Sequence, residues 1–160
     1  MLDNNKLILN SVLVLSIVSL LIAYFIQYVL GYKPCNLCLI ERIPYGLSIM
    51  IIMTIFLIRK NQKFLVMLLI LTFIFSFAIS FYHFGIEQGF FQESSVCGVK
   101  SSTEIVTKED LLKQLSEKTI SCKDVTFRIF GLSLTSINIV ISLLFITTLL
   151  KIFKKYEKNK

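Results

Sequence analysis

The residues of this 160-residue chain best suited to chemistry are its four cysteines and its single histidine. Two of the cysteines stand in the stretch Lys33-Pro34-Cys35-Asn36-Leu37-Cys38-Leu39-Ile40-Glu41-Arg42. A C-x-x-C spacing serves redox cycling as well as metal ligation. Two neighbouring thiols can pass a disulfide without large backbone motion. Pro34 suits a helix that starts just after it. The partial positive charge of a helix N-terminus lowers the pKa of a thiol placed there. On such a helix Cys38 and Arg42 are i and i+4, one turn apart on one face. The guanidinium then sits beside the Cys38 sulfur and stabilises its anion, or hydrogen-bonds the oxygen of a bound acceptor. The plainer alternative is an arginine snorkelling to a membrane interface. Pro44 cannot donate to the carbonyl of Ile40, which predicts a kink nearby.

Cys97 and Cys122 lie in a second, long polar segment. Structureless segments of that length are usually functional. A crosslink there is structural in most secreted proteins, but a reactive-looking pair close by favours a redox role. Four thiolates also suit zinc. The wide spacing of Cys97 and Cys122 and an oxidising setting argue against it, so no metal is expected. His83 and Glu87 are i and i+4, so they share a helix face. They read as a proton relay or an orienting hydrogen bond, or as an interfacial polar pair that anchors the helix.

The elements that must position these residues are apolar. The chain is 55% hydrophobic with mean hydropathy +0.76, and it has 14 Phe, which excludes disorder. Four uncharged runs stand out: Leu7 to Tyr32, Ile43 to Ile58, Phe64 to Tyr82, and Ile129 to Leu150. About 20 apolar residues make a helix that crosses the hydrocarbon core. The second run is short, but a helix starting near Asn36 completes it. None of the runs alternates apolar and polar residues, so barrel strands are excluded. The expectation is an all-α membrane protein, a four-transmembrane-helix bundle forming one membrane domain over residues 1–160. Its spans fall at about 7–30, 38–58, 64–83 and 129–150, with external loops at about 31–37 and 84–128. The first run is too long for a signal-peptide core and no small-x-small cleavage pattern follows it, so it is expected to stay. Within the second loop, Thr107-Lys108-Glu109-Asp110 before Leu111, Leu112 and Leu115 reads as a short amphipathic helix lying on the bilayer.

Charge sets the orientation. Lys6, Arg59, Lys60, Lys63 and the lysines after Leu150 share one side, which carries the whole formal charge of +7. Lysine and arginine mark the cytoplasmic side, so both termini are expected there. All four cysteines then face outward, which in bacteria is the oxidising periplasm. A basic protein also suits nucleic acid, but this charge sits in short segments flanking spans, and no nucleic-acid partner is expected.

On these residues the chain resembles the disulfide bond formation protein B (DsbB) family of the bacterial inner membrane. The likeness runs from about Leu7 to Leu150. It is carried by Pro34-Cys35-Asn36-Leu37-Cys38-Leu39-Ile40-Glu41-Arg42, which fits P-C-x-L-C-x-x-x-R. Tyr82-His83-Phe84-Gly85-Ile86-Glu87, the Phe130-Gly131-Leu132-Ser133-Leu134 stretch and the order of the cysteine pairs fit as well. The resemblance implies a quinone-dependent protein-disulfide oxidoreductase. Its partner is a DsbA-like thioredoxin-fold periplasmic oxidase, and its acceptor is ubiquinone or menaquinone in the membrane lipid. By the same resemblance the partner attacks Cys97 of a Cys97–Cys122 disulfide, Cys122 attacks Cys35, and Cys38 faces the quinone with Arg42 at a quinone carbonyl. Two other readings stay open: a vitamin K epoxide reductase-like enzyme, which usually places its loop cysteines first, and a non-enzymatic scaffold with structural disulfides.

Overall fold

The computed structural model describes residues 2–58, 61–93, 97, 121–123, 128–129 and 132–158. The amphipathic helix expected around Thr107–Leu115 lies outside them. The order is α1 (Leu2–Tyr28), α2 (Asn36–Ile40), α3 (Ile43–Leu57), α4 (Gln62–Glu87), β1 (Arg128–Ile129), β2 (Leu132–Ser133) and α5 (Leu134–Lys158). Four helical segments are long and apolar enough to cross a membrane: Asn5–Tyr28, Asn36–Leu57, Gln62–Glu87 and Leu134–Tyr156. The chain is a four-helix membrane bundle. α2 and α3 together make the second span. The ladder is interrupted at Glu41–Arg42, two residues before Pro44, which has no N–H to give.

Element ends follow local chemistry. Gly31 (φ +75°) and Gly89 (φ +78°) occupy the left-handed region beyond α1 and α4, where glycine carries no Cβ penalty. Past α4 the N–H groups of Phe90 and Phe91 return to the carbonyl of Gly85. α4 thus runs to Glu87, so His83 and Glu87 both belong to the helix rather than to the loop. The last helix starts at Leu134, later than the apolar run suggested. β1 and β2 pair antiparallel, Arg128 with Ser133 and Ile129 with Leu132. The Ser133 hydroxyl then accepts from the Ser136 N–H at 3.3 Å, as an N-cap does.

The bundle is apolar outside as well as inside. Large side chains such as Met50, Leu21, Phe75 and Leu144 are more than half exposed. In water such a surface would aggregate, and in lipid it is the solvent-facing side. Inside, Leu9, Val12, Ile52, Val66, Leu69, Phe73, Phe145, Leu149 and Ile152 form one core. Phe73 and Phe145 meet edge to face at 4.7 Å. Closer to the cysteines the interior changes to small polar residues. Ser48 donates to Ser16 at 3.1 Å between α3 and α1, and Ser142 donates to Ser76 at 3.2 Å between α5 and α4. Lipid supplies no hydrophobic drive between helices, so small residues and interhelical hydrogen bonds hold them.

Candidate functional site

Cys35 is the N-cap of α2. Its backbone is extended (φ −72°, ψ 168°), and its sulfur accepts from the Cys38 N–H at 3.2 Å. Cys35 is buried, Cys38 is half-buried, and both are free thiols. Cys97 and Cys122 form a disulfide with Cα atoms 5.6 Å apart. The two pairs share one apolar cluster with Leu37 and Ile86. The sulfurs of Cys35 and Cys122 and a ring nitrogen of His83 all lie within 4.8 Å of one another. That spacing suits a soft ion, but the Cys122 sulfur is committed to the disulfide and offers no thiolate.

His83 is 2% exposed and bridges two elements. Its Nδ1 lies 2.8 Å from Glu41 Oε1, and its Nε2 lies 3.6 Å from the Cys35 sulfur and 3.9 Å from Glu87 Oε1. Glu41 Oε2 accepts from Asn138 Nδ2 at 3.2 Å, and the same nitrogen reaches Ser80 Oγ at 2.7 Å. The Tyr45 hydroxyl donates to the Asn138 side-chain carbonyl. Thr135 donates to Glu87 Oε1, while Glu87 Oε2 is buried with no hydrogen-bond partner among the described residues. Buried carboxylates are costly unless paired, so the orphaned oxygen marks a place where a proton or ligand is due. The Cys38 thiol, donating to Cys35, and then His83 hold the Cys35 thiol well below its ordinary pKa. Burial opposes this and pushes it up.

Arg42 departs from the helical extrapolation. Its guanidinium hydrogen-bonds Gln27 Oε1 at 2.5 Å and the Ala23 carbonyl at 3.4 Å, and it stacks 5.2 Å from the Tyr24 ring centroid. It is therefore tied to α1, and none of these hydrogen bonds reaches the Cys38 sulfur or Glu41. The reason lies in the interrupted ladder. The Arg42 N–H returns to Leu39, three residues back, and this tighter turn rotates the side chain off the Cys38 face. Arg42 and Cys38 instead line a common cavity of about 240 Å³. Glu41, His83 and Glu87 complete its polar wall, while Ile26, Ile137 and Ile141 face them from α1 and α5. One small ring with polar substituents suits such a wall.

Sequence reasoning brought out Cys35, Cys38, Cys97, Cys122, Arg42, His83 and Glu87, and all seven fall in or beside this region. It missed the roles of Glu41 and Asn138. Glu41 pairs with His83 across the bundle rather than with adjacent Arg42. Asn138 joins Glu41, Ser80 and Tyr45 in one network. The signal available was position: a carboxylate inside a span and an amide within the last one are expensive in lipid.

Residues 5–152 match the profile of the family described as disulfide bond formation protein DsbB. An uncharacterized protein of Rickettsia prowazekii (strain Madrid E) is 33% identical over 139 residues, covering 85% of this chain and 81% of its own length. No solved structure matches the chain significantly.

Proposed function

The chain belongs to the DsbB family of membrane disulfide-bond formation proteins, and from that premise we propose that it reoxidises a DsbA-like thioredoxin-fold oxidase and passes the electrons to a membrane quinone. The observation that carries this reading is the approach of Cys122 to Cys35 within 4.8 Å, a disulfide of one loop beside a thiol of the other pair. Thiol–disulfide exchange proceeds by contact, thiolate on sulfur. The partner's thiolate attacks Cys97 and Cys122 is released. Cys122 attacks Cys35 of the oxidised Cys35–Cys38 pair, and Cys38 leaves as a thiolate. The partner's second thiolate then displaces Cys97 from the mixed disulfide, and Cys97 attacks Cys122 of the Cys35–Cys122 bond, which restores Cys97–Cys122 and releases Cys35. The partner ends as a disulfide, and Cys35 and Cys38 end as the dithiol.

The acceptor is ubiquinone or menaquinone, and the cavity beside Cys38 is its site. A bound quinone supplies a two-electron, two-proton acceptor soluble in lipid. The fit rests on the wall chemistry: an apolar side from α1 and α5, a fixed guanidinium, and the unpartnered Glu87 oxygen. Arg42, held by Gln27 and Ala23, presents positive charge where negative charge develops on a carbonyl oxygen. His83 and Glu87 line the same space as proton-transfer groups. The chain sits in the bacterial inner membrane with both termini cytoplasmic and the cysteines periplasmic, as the basic residues Arg59, Lys60 and Lys63 and the five lysines after Leu150 favour.

The test is a trapping experiment. A reduced thioredoxin-fold oxidase lacking its second cysteine is mixed with the oxidised protein. A mixed disulfide through Cys97 is expected on non-reducing gels and by peptide mass spectrometry. It vanishes in Cys97→Ser. Reaction at neither Cys97 nor Cys122 would leave the pair structural.

A further inference from the structure

The His83 ring is held from both sides. Glu41 accepts from Nδ1–H at 2.8 Å, and Nε2 faces the Cys35 sulfur at 3.6 Å, placed to share the thiol proton. All three groups are buried or nearly so. Nucleophile, base and orienting carboxylate in this order are the arrangement that activates a weak nucleophile elsewhere in protein chemistry. We propose that Cys35, His83 and Glu41 form a catalytic triad within the membrane bundle, with His83 the base for the Cys35 thiol and Glu41 the residue that positions His83. The triad rests on the quinone-linked relay above and gives His83 a sulfur, not the quinone, as its first proton partner.

The triad acts on the reduced Cys35–Cys38 pair. Cys97–Cys122 is oxidised while Cys35 and Cys38 are free thiols, the state that precedes closure of the Cys35–Cys38 bond. Cys35 gives its proton to His83 Nε2. The resulting thiolate supplies the electron pair of the new Cys35–Cys38 bond, and the Cys38 sulfur, its own S–H broken by proton loss, gives up an electron pair to the acceptor. The two electrons pass to the quinone, and the two thiol protons become the hydroxyl protons of the quinol. Glu87 Oε1 lies 3.9 Å from the same Nε2 and its other oxygen is unpartnered, so Glu87 takes the proton from His83 toward the cavity. His83→Cys35 proton return serves the reverse direction by the same contact. Among the described residues, the charged and titratable groups at the cavity beside the Cys35 thiol are Cys38 on α2, Glu41 beyond it, Tyr45 on α3, His83 and Glu87 on α4, and Tyr32, Lys33 and Arg42.

The test reads the thiol directly and needs no quinone. Full-length protein in detergent is stripped of quinone, and the Cys35–Cys38 pair is reduced with Cys97–Cys122 intact. Alkylation by iodoacetamide is followed by mass spectrometry across pH at Cys35 and Cys38. In wild type, Cys35 is expected to react first and to keep most of its rate down to about pH 6, below the ordinary thiol range. His83→Gln should slow Cys35 alkylation at about pH 6 by roughly 10²-fold and move its midpoint upward. Glu41→Gln should shift the midpoint in the same direction by less, with partial recovery in Glu41→Asp. An unchanged midpoint in His83→Gln overturns the triad. Should His83→Gln fail to fold, a wild-type midpoint in the ordinary thiol range, or no shift in Glu41→Gln, overturns it equally. If the shifts appear but the wild-type protein reduces no quinone, the relay reading fails and the triad stands.

Discussion

The sulfur of Cys122, while bonded to Cys97, lies within 4.8 Å of the free sulfur of Cys35. The two residues belong to separate segments, one between α4 and β1 and one at the N-terminus of α2. Their meeting is what the proposed relay between the two cysteine pairs requires. A disulfide needs its sulfurs about 2.05 Å apart, so a short approach of Cys122 suffices. In a variant carrying Cys38→Ser and Cys97→Ser, mild oxidation should join Cys35 to Cys122. Non-reducing peptide mass spectrometry reads the bond, and its absence in folded protein would contradict the arrangement.

Arg42 is anchored to α1 by Gln27, Ala23 and Tyr24. Arg42→Leu should raise the KM for quinone by about tenfold, worth about 1.4 kcal/mol, and leave mixed-disulfide formation with the partner intact. Gln27→Leu should raise the KM in the same direction but less, because the charge remains and only its orientation loosens. A titration with a short-chain quinone measures both. Equal loss of partner exchange in Arg42→Leu would assign the residue a structural role.

Asn138 donates to Glu41 and Ser80 and accepts from Tyr45. Asn138→Leu leaves the Tyr45 hydroxyl and one Glu41 oxygen unpaired inside the bundle, at about 1–3 kcal/mol for each orphaned group. Tyr45→Phe removes one donor and should cost less. Thermal unfolding in detergent should rank them wild type above Tyr45→Phe above Asn138→Leu. The reverse order would show that Asn138 is not the centre of the network.

Ser76 and Ser142 are fully buried where α4 meets α5, whereas Phe75 is 55% exposed on the lipid side. Ser76→Leu forces the two helices apart and should destabilise by about 1–3 kcal/mol. Phe75→Leu, changing only the lipid face, should leave the unfolding temperature nearly unchanged. Comparable losses in the two variants would contradict the packing.

The bundle was legible because lipid imposes a simple rule: long apolar runs become helices. The placement of Cys35 and Cys38 side by side at a helix start was legible because the pair is local, within one turn of one helix. Two things were not. Arg42 was extrapolated as one turn below Cys38 on an unbroken helix, but the interruption ahead of Pro44 turns it toward α1. The contact of His83 with Glu41 joins α4 to the junction of α2 and α3, and nothing in local spacing encodes which helices are neighbours. Asn138 likewise reads as one polar residue in a span until the facing helices supply Glu41, Ser80 and Tyr45 around it.

The central claim is that electrons from a protein dithiol cross both cysteine pairs to a quinone. The direct measurement is quinone reduction by the purified protein, followed by absorbance, with a reduced thioredoxin-fold oxidase as donor. Wild type should turn over, and Cys38→Ser and Cys97→Ser should each abolish turnover, the first while still forming the mixed disulfide with the partner. Turnover that survives Cys97→Ser, or folded wild type in lipid that reduces neither ubiquinone nor menaquinone, would contradict the account.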